Sequence, residues 1–572
     1  MTIILIRDMD LEAFMLNKYD FILDGYENRK LVHYSGMGKN YPKTVPYDEL
    51  QNQYIDGVLI ASRYIDGRLM QTFSKTDSHI LTVAATRMGK TTSCVIPQVL
   101  SFAKQKVKRS MLISDPKGEL YRILSETLKE NGYKVLLINF KDFSHSECWN
   151  PLLSIYTAYQ KAVNIEKDVA LIKTEKGYRN MFMNVIYENQ SELDIALDKI
   201  KKMIIADVDT AISNLFGNII AEAHKEPYWT DAARQWGKAL LWSMLEDSVS
   251  YDDCINPAIT KDTFSFNTLF TIMGSLSPQK QYDNKKYFSK RRSDSFALKY
   301  AKVIIENSEV TSRCIISTFT TAIAAYSNSA MRLLTSCNSF DVSQFVSSEP
   351  TVLFICYPDD SRVYYDVIGM FVSETYQYLI KVADAMPHGK LERPFYFILD
   401  EFANFPRFND MDTVITACGG RNIWFDLILQ SYAQLDNVYG AGIAEIIRDN
   451  MNVRIFLGSN NAVTLEKFSN ECGLTTRISP SSVFFGSSNK LEKSEIETIP
   501  LIPKSVLAQL GIGEAIILEI GESVKLTRLE RYFMCKEFLS LKQANLTEYS
   551  ANVNVFNPKY EYKLPNLNRR IG

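Results

Sequence analysis

Eight short runs of apolar, β-branched and aromatic residues constrain this chain more tightly than any other feature. They are HILTVAAT from His79, SMLISD from Ser110, KVLLINF from Lys134, TVLFICY from Thr351, FYFILDE from Phe395, NIWFDLILQ from Asn422, NVRIFLG from Asn452 and EAIILEI from Glu514. A strand with one wet face alternates polar and apolar residues. Near-continuous apolar runs of this length suit strands covered on both faces, as in a parallel sheet flanked by helices. Helical stretches lie between many of the runs, as βα crossovers require. The pattern predicts an α/β fold with a central, mostly parallel sheet.

The region from about 156 to 340 breaks this rhythm. Strand signals are scarce there, and long amphipathic stretches take over, such as DIALDKIKKMIIADVDTAISNLF from Asp194 and WTDAARQWGKALLWSMLEDS from Trp229. It reads as a helical insert that interrupts the α/β domain. The expected organisation is therefore 1–155 and 341–545 as two parts of one α/β domain, 156–340 as an all-α inserted domain, and 546–572 as an irregular tail rich in Asn, Tyr and Pro. At 572 residues the chain is too long for one ordinary domain.

The first run leads directly into AATRMGKTT, residues 84–92. A strand, a small residue, four variable positions, then Gly89-Lys90-Thr91 at the head of an amphipathic stretch form a Walker A phosphate loop. Backbone N–H groups of Thr86, Arg87, Met88, Gly89, Lys90, Thr91 and Thr92 are expected to face phosphate oxygens, where the helix dipole favours negative charge. Lys90 would reach the outer phosphates of ATP, and the Thr91 hydroxyl would ligate Mg²⁺. The first position holds Ala84 where glycine is usual, and alanine adopts left-handed torsions less cheaply.

The run FYFILDEF ends in Asp400 and Glu401. An acidic pair at the C-terminal edge of a core strand has the form of a Walker B element. Asp400 would hold Mg²⁺, and Glu401 would orient or deprotonate the attacking water. Gln430 closes the next run and is a candidate sensor of the γ-phosphate, though a solvated glutamine at a turn is the plain alternative. Arg421 follows Gly419 and Gly420. It is either an arginine offered to a neighbouring subunit's site or an ordinary surface arginine.

With these motifs in place the sequence resembles the TraG/TraD-like coupling proteins of type IV secretion, the motor ATPases of conjugation. The resemblance rests on TRMGKTT followed by VIP at 95–97, SDPKGELY at 114–121, WNPL at 149–152, LDEFANFP at 399–406, GGRN at 419–422 and QSYAQLDNVYG at 430–440, in that order. It implies a RecA-like nucleotide-binding domain with an all-α insertion, and ATP and Mg²⁺ at the motifs above. It further implies a ring hexamer that moves single-stranded DNA and its relaxase to the membrane proteins of a secretion channel. Two readings stand beside it: a nucleotide-regulated adaptor that recruits relaxase without pumping, and an FtsK-type translocase of double-stranded DNA, against which LDEFANFP and the large insert argue. Asp115 and Lys117 of the DPKGEL segment receive no catalytic step.

Composition limits the remaining classes. A net charge of −2 argues against a protein that coats nucleic acid with a basic surface. Local segments can still serve: KKYFSKRR at 285–292 has the basic, aromatic make-up of a single-strand contact, and KQKVKR at 104–109, basic without a ring, has it more weakly; a solvated loop or helix face is the plainer reading of both. Nine scattered cysteines without a C-x-x-C pair read as thiols of a reducing compartment, and the five histidines show no metal-ligand spacing. The N-terminal apolar run is too short for a signal peptide, and no run of the chain is long enough to span a bilayer. Relatives of the resembled family usually carry a membrane anchor. Either this chain is a naturally soluble member that docks on a membrane partner or a native anchor is missing from it; it is expected at the cytoplasmic face of the membrane as a peripheral protein, monomeric in isolation and hexameric when assembled.

Overall fold

The computed structural model describes residues 4–5, 43–165, 171–174, 177–180, 185–187, 190–220, 227–249, 259–276, 284–408, 410–485 and 489–551. His33, His224, Cys254, residues 6–42 and the tail beyond 551 lie outside the described residues. The chain divides into two compact units, one drawn from Met1–Lys141, Val342–Arg362 and Ser373–Tyr549, the other chiefly from Asp142–Asp341 with Val363–Val372.

The first unit is built on a ten-stranded sheet. Its order is Ile4–Leu5, Lys525–Arg528, Glu514–Glu519, Val453–Gly458, Ile80–Ala84, Ile423–Leu429, Phe395–Leu399, Ser110–Ser114, Thr351–Cys356 and Lys134–Asn139. All eight apolar runs are strands of this sheet. The seven from Val453–Gly458 to Lys134–Asn139 are mutually parallel, and Glu514–Glu519 runs antiparallel to both its neighbours. Apolar composition reports burial on two faces and is silent on strand direction, so this reversal was not visible in the sequence. The structure adds two elements with no strong apolar run. One is an antiparallel sheet of Lys43–Pro46, Leu59–Ile65 and Arg68–Phe73; the other is a hairpin of Leu474–Phe485 with Asn489–Pro500.

One face of the large sheet is covered by the helix Ile96–Lys104, whose Ile96, Val99, Leu100 and Ala103 are fully buried with Ile113, Ile398 and Ile428. Beside this helix Arg109 is wholly buried. Its guanidinium donates to both carboxylate oxygens of Asp77 and to the Ile55 carbonyl. The basic segment 104–109 is therefore a structural joint. Lys104, Lys106 and Lys108 lie over the rings of Tyr47, Tyr54 and Tyr133.

The second unit is helical, with Leu153–Val163, Gln190–Ile219, Pro227–Asp247, Phe266–Ser275, Phe296–Ile305 and Glu309–Ala322 as its main elements. It also carries a three-stranded antiparallel sheet of Leu171–Thr174, Gly177–Asn180 and Val185–Tyr187, absent from the sequence reading. Pro227–Asp247 is the central helix. Trp236 and Trp242 are buried, and Trp242 stacks on Phe296 at 4.4 Å. Gly237 admits its neighbours closely: a Cβ there would stand 2.6 Å from the Phe319 ring. The stretch KKYFSKRR is largely consumed by this core. Tyr287 and Phe288 are buried, and Arg291 pairs with Asp247 at 2.9 Å and Glu246 at 3.0 Å. The aromatic rings that base stacking would need are thus already packed, while Lys285, Lys286, Lys290 and Arg292 stay exposed.

One core residue violates the apolar pattern. Asp426 sits mid-strand between Ile80 and Ile398 in register, and only 4 % of it is exposed. Its Oδ1 has no hydrogen-bond partner, and with Gln98, Cys94 and Thr82 it lines a small cavity. Burial pushes its carboxyl up to about 8, and the charge of Asp400 adds to the shift. The folded state therefore holds a proton that the unfolded chain releases near pH 4, and stability falls as pH rises from about 4 to about 8. Asp426→Asn keeps the shape and removes the titration. Its melting temperature should exceed the wild type's at pH 8 by several degrees, with the gap shrinking steadily towards pH 5; a gap that does not change with pH would contradict the assignment.

Candidate functional site

The parallel strands bring their C-terminal ends to one edge, and the candidate site is assembled there. The phosphate-loop strand Ile80–Ala84 lies next to Ile423–Leu429, which lies next to Phe395–Leu399. Three adjacent strand ends thus deliver residues 84–92, Gln430, and the Asp400–Glu401 pair.

Ala84 is the last residue of its strand, in ordinary extended backbone, so the position needs no glycine. The left-handed torsions fall later, at Arg87 (φ 71°) and Gly89 (φ 92°). The Ala85 N–H donates to the Gly458 carbonyl at 2.8 Å, and Met88 fills the space over Gly458, where a Cβ would stand 3.0 Å from its Cε. Residues Lys90–Val95 form a π-helical turn that passes into the α-helix Ile96–Lys104. Such turns are rare and recur at functional sites.

Two contacts join the loop to the acidic pair. The Thr91 hydroxyl donates to Asp400 Oδ2 at 3.1 Å, and Lys90 Nζ lies 3.4 Å from Glu401 Oε1. Glu401 is itself left-handed, at φ 55°. Its N–H donates to Asp400 Oδ1 at 3.0 Å, and its carbonyl accepts from the Asn404 N–H at 2.7 Å. A non-glycine residue in this region costs of the order of 1 kcal/mol or more and needs such supports. The Thr86 hydroxyl donates to Gln430 Oε1 at 3.4 Å, drawing the middle strand's glutamine to the loop.

Asp400 is 8 % exposed. Burial raises its carboxyl above the ordinary range; Lys90 and the Thr91 hydroxyl oppose the shift, and Glu401 adds to it. Asp115 is raised to about 6 by burial, is held down by N–H groups of Tyr121 and Leu120, and feels the charge of Asp400. Asp400 and Asp115 are thus two buried carboxyl groups close enough to feel one another. Asp400 beside a threonine hydroxyl is a donor set of hard oxygens, and it fits a Mg²⁺ ion that shares its other positions with phosphate and water.

Arg421 is not brought to this edge. It precedes the strand that Gln430 ends, so the length of Ile423–Leu429, about 20 Å, separates it from its own chain's loop. There it is partly exposed and pairs with Asp384 at 2.7 Å. Four residues that the sequence reading did not place in the site do border it. Lys117 Nζ lies 3.8 Å from Glu401 Oε1. The Ser114 hydroxyl donates to the Asp400 carbonyl and meets the Tyr357 hydroxyl at 2.9 Å. Arg531, from the far C-terminal side of the unit, donates to the Arg87 carbonyl at 3.4 Å. SDPKGEL pointed to the first two; nothing near residue 531 signals a site.

The family model described as "Type IV secretory system Conjugative DNA transfer" matches residues 46–555. The chain belongs to that family. Over 468 residues it is 21% identical to Protein VirD4 of Rhizobium radiobacter, covering 79% of this chain and 57% of that protein. Over 419 residues it is 22% identical to Conjugal transfer protein TraG of Escherichia coli, covering 72% of this chain and 57% of that protein. The chain thus spans a little over half the length of these curated relatives. Among solved structures it resembles the plasmid coupling protein TrwB in complex with ADP and Mg²⁺, with a TM-score of 0.52 at 13% identity over 87% of this chain and 96% of that one. The unbound monoclinic form of TrwBdeltaN70 gives 0.51 at 12% identity over 91% and 98%. At these identities the likeness concerns the fold, which is the RecA-like P-loop architecture with its central, mostly parallel sheet. Among the described residues no helix is long and apolar enough to cross a membrane.

Lys90 is the loop cation that faces the acidic pair. Lys90→Ala should weaken binding of a fluorescent ATP analogue at least about tenfold, ~1.4 kcal/mol, while thermal unfolding of the nucleotide-free protein stays within a few degrees of wild type. Undiminished affinity would remove the loop from the binding site.

Proposed function

We propose that the chain is a coupling ATPase of type IV secretion, hydrolysing ATP with Mg²⁺ to recruit single-stranded DNA with its relaxase and move it to the secretion channel. The observation that carries this reading is the convergence of Lys90, Thr91, Asp400 and Glu401 at adjacent strand ends. A nucleotide-gated adaptor needs the first three and has no use for a positioned second carboxylate.

In this reading the N–H groups of residues 86–92 cradle the phosphates and Lys90 pairs with their outer oxygens. Thr91 and Asp400 would hold Mg²⁺, which neutralises charge on the phosphate oxygens. Glu401 accepts the proton of the attacking water, and Gln430, tied to Thr86, reports the state of the γ-phosphate to its strand. Arg421 lies at the far end of that strand, so it can act on a phosphoryl group only in the site of another copy. A closed ring, here a homo-hexamer, supplies each site with a neighbour's arginine. The family and its relatives' names support DNA transfer as the setting. Relaxase and channel proteins as partners, and a peripheral position at the cytoplasmic face of the membrane, complete the proposal.

Two measurements test it. Glu401→Gln should bind ATP as wild type does and lose turnover by about 10²- to 10⁴-fold, in assays where single-stranded DNA stimulates the wild-type rate. Turnover that survives the substitution would assign the base elsewhere. Arg421→Ala and Lys90→Ala should each be inactive alone and regain activity when mixed, because an intact site then forms between unlike subunits. A mixture that stays inactive would rule out an arginine supplied in trans.

A further inference from the structure

Lys117 belongs to the SDPKGEL segment, to which the hydrolytic scheme gives no part. The structure nevertheless fixes this lysine beside the reacting groups. Its strand, Ser110–Ser114, is parallel to Phe395–Leu399, with Ser114 opposite Leu399. The turns that leave the two strands therefore stand side by side, one carrying Lys117 and the other Glu401.

The turn around Lys117 is tightly built. Asp115 is 2 % exposed, and its carboxylate accepts the Tyr121 N–H at 2.8 Å. The Gly118 N–H donates to the Asp115 carbonyl at 3.1 Å. Gly118 is left-handed (φ 73°), and a Cβ there would stand 2.6 Å from the Leu546 side chain. Arg122 donates to the carbonyls of both Lys117 and Gly118. The backbone of Lys117 is thus pinned, while its side chain is 60% exposed and its ammonium reaches to 3.8 Å from Glu401 Oε1. The Lys90 ammonium approaches the same oxygen at 3.4 Å.

One carboxylate oxygen therefore has two cations. In the hydrolytic scheme Lys90 must leave it, because the phosphates are the stronger attraction: they carry more charge and accept hydrogen bonds along the loop. Glu401 then loses its nearer partner at the moment it must face the water. Its Oε2 has only a long contact from Asn404 Nδ2, at 3.5 Å.

We propose that Lys117 is the positioning residue that retains Glu401 once ATP has taken Lys90. It swaps a Lys90–Glu401 pair for a Lys117–Glu401 pair on nucleotide binding, holding the carboxylate in place while leaving the phosphates to Lys90. This rests on the ATPase reading above, and it deepens that reading by naming what holds the general base. Lys117 is solvent-exposed, so its tether is weak in the resting protein. Its effect should therefore appear in turnover and be absent from folding or binding.

The test is steady-state ATP hydrolysis by the full chain with single-stranded DNA, alongside binding of a fluorescent ATP analogue and thermal unfolding. The wild type and Glu401→Gln serve as controls for the ATPase reading: wild-type turnover lost in Glu401→Gln upholds that reading independently of Lys117. Lys117→Met should then lower kcat about tenfold with KM, analogue affinity and melting temperature unchanged, and Lys117→Arg should recover most of the rate. In the Glu401→Gln background, Lys117→Met should lower the residual rate no further. Lys117→Met with kcat within twofold of wild type would overturn the proposal. So would a raised KM at unchanged kcat, which would make Lys117 a phosphate ligand, or a lost rate that arginine does not recover. An inactive wild type would sink the ATPase reading itself, and this proposal with it.

Discussion

The parallel register of the central strands is the constraint on which the candidate site depends. Seven neighbouring strands point the same way, so their C-terminal ends share one edge, and whatever follows each strand is delivered to a common place. Residues more than three hundred positions apart then meet within hydrogen-bond reach. The Thr91–Asp400 and Lys90–Glu401 contacts are the local expression of that register, and each bridges across the intervening strand that carries Gln430. The same logic places Arg421 at the wrong end of its strand for its own site. One geometric rule thus both assembles the site and holds Arg421 away from it.

Electrostatics explains why the edge is built so elaborately. Asp400, Asp115 and Asp426 are all buried, and all are pushed upward by that burial. Each carboxyl without a full complement of partners costs stability. The molecule offsets part of this with backbone N–H groups at Asp115, the Thr91 hydroxyl and Lys90 at Asp400, and left-handed turns at Glu401 and Gly118 that bring donors into place. What remains is a group of buried carboxyls close to the phosphate loop. That arrangement is at its most favourable when cationic and anionic ligands arrive together.

Much of this was legible beforehand. The eight strands were readable because burial on both faces leaves no room for polar alternation. The phosphate loop and LDEF were readable because phosphate and Mg²⁺ demand particular side chains at strand ends. What composition left open has an equally plain cause. KKYFSKRR is basic and aromatic and KQKVKR is basic, yet Tyr287, Phe288, Arg291 and Arg109 are buried, with both arginines held by aspartates distant in sequence. Composition counts charges and rings; it does not say which of them the core absorbs.

Local sequence by itself determined the element types and the motifs of the phosphate loop and the acidic pair, because each depends on residues within a few positions of one another. Only the tertiary structure decided the strand order, the reversal of Glu514–Glu519, the distance of Arg421 from its own loop, and the neighbours Lys117, Ser114, Tyr357 and Arg531. Those facts depend on which strands pair, and pairing is settled by the packing of the whole sheet, a long-range energy to which no short window of sequence has access.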